Sequence, residues 1–212
     1  MPEFDQDCLA CPRLASQLSR IRDMYPHYYA HPVPPFGDSH AQLLIVGLAP
    51  GMHGANRTGR PFTGDHAGIL LYETLNRHGL ADRPQSQSAT DGLKLKNCRI
   101  TNAVKCLPPG NKPLPAEIAT CNLYLKTELQ KMPSGSVLLA LGTVAHDAVL
   151  MARNLKRKDY PFSHGAQHRF DDGMHLLDSY HCSRYNTQTK RLTAEMFDQV
   201  VAKAVHLLTI KP

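Results

Sequence analysis

Runs of apolar residues separated by polar stretches set the outline of this chain. Four short apolar segments, residues 42–47, 98–104, 136–142 and 174–180, read as strands, and each precedes a stretch where apolar residues return every three or four positions. Those stretches place helices at 67–78, 115–131, 143–154 and 193–208, with Pro115 and Thr193 as start signals. Strand and helix alternate four times, which predicts a three-layer α/β/α domain with a central four-stranded parallel sheet. The first forty residues read as a lead-in. The polar, proline-bearing loops at 82–92 and 153–165 are too short to separate domains, so residues 1–212 are read as one domain.

In open α/β sheets, ligands bind beyond the carboxyl ends of the strands. The least ordinary sequence lies there each time: GLAPG at 47–51, TNAVKC at 101–106 and SYHCS at 179–183. These three loops are expected to meet at one pocket. The first continues as GLAPGMHGANRTGRPFTGD, from Gly47 to Asp65, a glycine-rich turn between a strand and a helix. Its nearest approach to a nucleotide-phosphate loop is Gly54 to Pro61, which carries Arg60 and Pro61 where lysine and a hydroxyl residue belong. Without the lysine and the magnesium-binding hydroxyl, the loop is built for some other ligand.

Charge narrows the partners. The chain has 212 residues, with 24 Lys and Arg against 18 Asp and Glu, a formal net charge of +6. That balance suits a polyanion without specifying one. The amino terminus is acidic and lacks an apolar signal region, and no stretch approaches 18 uninterrupted apolar residues, so a soluble, cytoplasmic protein with no membrane partner is expected. A monomer is the default expectation.

The six cysteines are then candidates for metal ligation or plain burial rather than disulfides. Cys8 and Cys11 form a C-x2-C pair in the polar lead-in, whereas Cys98 falls inside a strand, where burial alone explains it. Joined by Cys106 and Cys121, the pair makes a four-thiolate site for zinc or for an iron–sulfur cluster, and spacing does not choose between them.

Four segments taken together, HPVPPFGD at 31–38, LLIVGLAPGMHGANRTGRPFTGD at 43–65, ITNAVKCLPPGNKP at 100–113 and SYHCSRYNTQTKRLT at 179–193, resemble the family 5 uracil-DNA glycosylases (UDGb type) and, more loosely, family 4. The resemblance runs in order along nearly the whole chain. It implies the uracil-DNA glycosylase fold, a DNA substrate containing uracil or other damaged bases, and a [4Fe–4S] cluster whose ligands match Cys8, Cys11, Cys106 and Cys121. Such an enzyme flips a nucleotide out of the stack and cuts its N-glycosidic bond, leaving an abasic site.

The resemblance also assigns roles. Phe62 is the aromatic stacked on the base, Asn102 reads the base edge, and the backbone of Gly47, Ala49 and Gly51 closes around it. His181 donates to the uracil O2 as charge develops there. Asp65 is the best remaining carboxylate for positioning water or steadying the sugar cation, with helix capping as its plainer reading. His53, Asn56, Arg57 and Arg60 are expected near DNA. His181-Cys182-Ser183-Arg184-Tyr185 departs from the commoner His-Pro-Ser-Pro-Leu of the family, so Ser183, Arg184 and Tyr185 become the wedge residues. Three rivals remain: a family 4 type restricted to uracil, opposed by Leu48 where that family places glutamate, a damage-binding protein with little turnover, and a zinc-stapled nucleic-acid-binding protein without chemistry.

Overall fold

The computed structural model describes residues 4–209. A six-stranded sheet crosses the molecule in the order β1-β3-β2-β4-β6-β5, where β1 is Phe36–Gly37, β2 Leu43–Gly47, β3 Cys98–Asn102, β4 Val137–Leu141, β5 Gln167–Arg169 and β6 His175–Ser179. The four inner strands are parallel and coincide with the four apolar segments of the sequence. The expected sheet of four is therefore extended at each edge by a short antiparallel strand, β1 on β3 and β5 on β6.

Every residue of β2 and β4 is buried, as a strand covered on both faces requires. Side-chain alternation divides β2 between two cores. Leu43 and Ile45 pack with α3 (His66–Arg77) and α7 (Ala194–Thr209), while Leu44 and Val46 pack with α4 (Pro115–Gln130) and α5 (Thr143–Ala152). The result is the three-layer arrangement expected from the sequence. Two four- and five-residue helices, α2 (Ala55–Thr58) and α6 (Arg184–Gln188), lie within the loops at the carboxyl ends of the strands.

The lead-in is more ordered than its sequence suggested, because Pro12–Met24 forms helix α1. Pro12 suits the first turn, where its missing N–H costs nothing, and Leu14, Leu18 and Ile21 recur on one face to bury against Val104 and Leu107. Arg13 then grips Glu117 of α4 through two hydrogen bonds of 2.7 Å. Glu117 meanwhile accepts from the Leu114 amide at 2.7 Å, so one carboxylate caps α4 and ties α1 to it.

Candidate active site and thiolate cavity

A cavity of about 480 Å³ opens at the carboxyl end of the sheet. Its wall includes Ala49 and Gly51 from the first loop, Phe62 and Asp65 from the same long segment, Asn102 from the end of β3, and His181, Ser183 and Arg184 from the loop after β6. The three loops singled out in the sequence thus meet here.

Asn102 is 3% exposed, and its amide makes no side-chain hydrogen bond among the described residues. Its polar atoms are not among the fully enclosed unpartnered ones, so they face the cavity rather than the interior. Its two donors and carbonyl acceptor are therefore open to a planar polar molecule in the cavity. Phe62 lies under the same space with its backbone at φ 53°, the left-handed region that a bulky residue seldom adopts. Packing holds it there: Tyr72 donates from its hydroxyl to the Pro61 carbonyl at 2.8 Å, and the Phe62 ring stacks on His181 with centroids 5.7 Å apart and planes 28° from parallel.

Gly47 does not line the cavity; it makes room for those that do. A Cβ there would meet the Phe62 ring at 2.6 and 2.7 Å and would also collide with Asn102 Oδ1. The absence of a side chain at the end of β2 is what lets the aromatic and the amide approach each other.

His181 is half-buried, and desolvation holds its imidazole down at about 4. At neutral pH the ring is uncharged, with one N–H to donate, and neither ring nitrogen has a partner among the described residues. Asn186 donates to the His181 carbonyl at 2.8 Å, which fixes the backbone carrying the ring.

Asp65 does two things at once. Its Oδ1 accepts from the Gly68 amide at 3.2 Å, capping α3, while Oδ2 faces the glycine turn, 3.3 Å from where a Gly51 Cβ would stand. Burial raises its carboxyl above the ordinary carboxylate range, partly offset by the amides it faces.

Of the residues expected near DNA, two are corrected. Arg60 is 4% exposed and turned inward: it pairs with Asp91 at 2.7 Å, donates to the Ala89 carbonyl at 2.8 Å and lies 4.3 Å over the Phe36 ring. Asn56 is fully buried, with its Oδ1 unpartnered in the interior. Neither reaches a surface a phosphate could touch. His53 and Arg57 are exposed, as are Arg184 and Tyr185, the last at 70%. Ser183 lines the cavity and caps α6 by accepting from the Asn186 amide at 3.4 Å.

Four lining residues had no assigned role, Ala55, His66, Ala67 and Asn111, and two of them are polar. His66 directly follows the cap Asp65 and reaches Thr187 of α6 at 3.0 Å, so it ties the start of α3 to α6. Its signal was position, the first residue of a helix opening on the cavity. Asn111 ends the single turn Pro109–Asn111 within a segment the resemblance already covered.

On the far side of the β3 loop, Cys8, Cys11, Cys106 and Cys121 line a second cavity of about 180 Å³, together with Leu14, Lys105 and Tyr124. Burial pushes the Cys106 thiol up to about 12, and the neighbouring cysteines add to the shift. The Lys105 amide donates to Cys121 Sγ at 3.3 Å. Among the described residues no three ligand-type side chains converge as a closed single-ion site; the four thiols are spread around the cavity instead. Only three residues, Ala103 to Lys105, separate Asn102 in the first cavity from Cys106 in the second.

Comparison with known proteins now adds to this geometry. A family model described as "Uracil DNA glycosylase superfamily" matches residues 34–205. The chain is 46% identical over 205 residues to a protein named "Type-5 uracil-DNA glycosylase" from Thermus thermophilus, covering 94% of this chain and 93% of that one. A protein of the same name from Mycobacterium bovis is 41% identical, over 96% of this chain and 79% of the relative. By contrast, a "Type-4 uracil-DNA glycosylase" from Archaeoglobus fulgidus is 36% identical over only 53% of this chain and 49% of its own length.

Proposed function

This chain belongs to the uracil-DNA glycosylase superfamily, and we propose that it hydrolyses the N-glycosidic bond of uracil flipped out of DNA, leaving an abasic site. The observation that carries this reading is the Asn102 amide at the end of β3, facing a cavity floored by Phe62 and edged by a neutral His181. Flipping costs a few kcal/mol, least at a mispair, and a stacking ring plus a base-edge amide offset it. The bond between C1′ and N1 breaks with its electron pair leaving on the base. The His181 N–H donates to the O2 as that charge gathers, the neutral imidazole offering one N–H for it.

Water adds to C1′ of the resulting sugar cation, and its proton passes to Asp65 and from there through solvent to the departed uracil anion. Asp65 is the carboxyl group best placed to orient that water, through the oxygen its capping bond leaves over, and its raised pKa moves it toward the range of a general base. Leu48 and Ala49 supply no polar group in the first loop, so departure of the base precedes attack. Arg184 and Tyr185, exposed beside the cavity, are the side chains to fill the gap in the duplex.

The thiolate cavity is read as the seat of a [4Fe–4S] cluster held by Cys8, Cys11, Cys106 and Cys121. Four thiols lining one cavity of about 180 Å³ make an all-thiolate donor set of the kind that holds an iron–sulfur cluster. Bound there, the cluster supplies a structural staple rather than chemistry, fastening the Cys8–Cys11 segment to the β3 loop and α4. The same proposal sets the protein in the cytoplasm as a monomer.

A duplex carrying one uracil opposite guanine, incubated with the protein and then heated in alkali, tests the reading. Scission at the uracil is expected, lost in Asn102→Ala. Intact strands with cluster-bearing protein would instead leave a damage-binding protein.

A further inference from the structure

Beside the active-site cavity lies a surface that excision itself does not explain. Tyr25 and Tyr28 stack with ring centroids 4.7 Å apart and planes 23° from parallel, and His53 stands edge-on to both at 6.2 and 6.0 Å. A 2.8 Å hydrogen bond joins the Tyr28 hydroxyl to His53 Nδ1. Tyr28 packs on the α1 core, but Tyr25 belongs to none of the buried clusters and is 38% exposed, next to Met24 at 63%. An aromatic ring held on a turn outside the core contributes little to folding.

The stack is fixed to the wall of the cavity. Amides of Tyr29 and Ala30 donate to the carbonyls of Arg57 and Asn56 at 3.0 and 2.9 Å, and Gly59 has no side chain where a Cβ would come 2.9 Å from the Tyr29 ring. His53 is two residues from Gly51 of the cavity lining. Arg57, exposed, donates to the His53 carbonyl at 2.7 Å and so presents its guanidinium beside the aromatic group. With Arg13 held by Glu117, residues 12–31 still carry Arg20 and Arg22 against the single carboxylate Asp23.

Rings that stack in pairs beside a cation are how proteins hold single-stranded nucleic acid without reading its sequence. We propose that Tyr25, backed by Tyr28 and His53, is a stacking platform for an unpaired base flanking the excised position, with Arg57 on the adjoining phosphate. DNA as the partner rests on the glycosylase reading; the platform rests on the geometry above. It gives the protein a hold on single strands that duplex-only recognition does not need.

Fluorescence anisotropy with an undamaged, labelled thymidine oligonucleotide tests it. Tyr25→Ala should weaken binding about tenfold, Tyr25→Phe should stay within about twofold, and neither should change the salt dependence, since stacking releases no counterions. Arg57→Gln should instead lower the salt slope by roughly one contact. Thermal melting of Tyr25→Ala, unchanged for a residue outside the core, shows that any loss is not unfolding. Native-like binding by Tyr25→Ala, or equal losses for Tyr25→Ala and Tyr25→Phe, overturns the platform. Excision of uracil from duplex DNA, measured on the same proteins, separates this failure from failure of the glycosylase reading.

Discussion

Replacing His181 with asparagine should flatten the pH dependence of stability. In the folded protein the ring resists protonation until the pH falls to about 4, whereas in the unfolded chain it takes a proton near its ordinary value of about 6.5. Between those values the unfolded state binds more protons, so stability present above about pH 6.5 is lost as the pH falls toward 4. A gap of roughly 2.5 units at 1.36 kcal/mol each comes to about 3 kcal/mol. The ring edge left open to the cavity makes this an upper figure. Urea unfolding of the native protein and of His181→Asn, side by side from pH 7 downward, measures it, because acid effects common to both cancel in the difference. The native curve should fall faster by up to about 3 kcal/mol. Parallel curves would refute a desolvated imidazole, and with it the neutral form proposed for the donor.

Other substitutions probe the remaining parts. Gly47→Ala should abolish excision while leaving the fold intact by circular dichroism, since the new methyl group would stand 2.6 Å from the Phe62 ring. Arg60→Met should lower stability by about 3 kcal/mol or more in thermal or urea unfolding, leaving Asp91 without its buried partner, yet leave the salt dependence of DNA binding unchanged. Cys106→Ala should remove the broad visible absorbance of an iron–sulfur cluster and lower the melting temperature, because the thiolate set loses a ligand at the β3 loop.

Much of the fold could be read from apolar runs, because β2 and β4 are buried throughout and stand out as continuous hydrophobic segments, with shorter apolar stretches marking β3 and β6. The edge strands could not: β1 has two residues, β5 has three, and both are only partly buried, so neither leaves a pattern to read. Helix α1 did leave one, in Leu14, Leu18 and Ile21, hidden within a stretch that polarity marked as a lead-in. The meeting of three loops at one cavity followed from the rule that ligands sit at the carboxyl ends of parallel strands. Arg60 shows where such reading stops. In sequence it is a cation in a glycine-rich loop; only the fold brings Asp91, thirty-one residues on, back to bury it. Likewise nothing in the sequence gives Phe62 its positive φ, which the surrounding contacts impose.

The most direct test is release of free uracil under single-turnover conditions, with native protein and His181→Asn compared on the same uracil-containing duplex. The expected result is free base and an abasic sugar from the native protein, with excision about 10²–10³ slower in His181→Asn at unchanged DNA affinity. No free uracil from native protein, or an undiminished rate in His181→Asn, would contradict the proposed chemistry of this cavity.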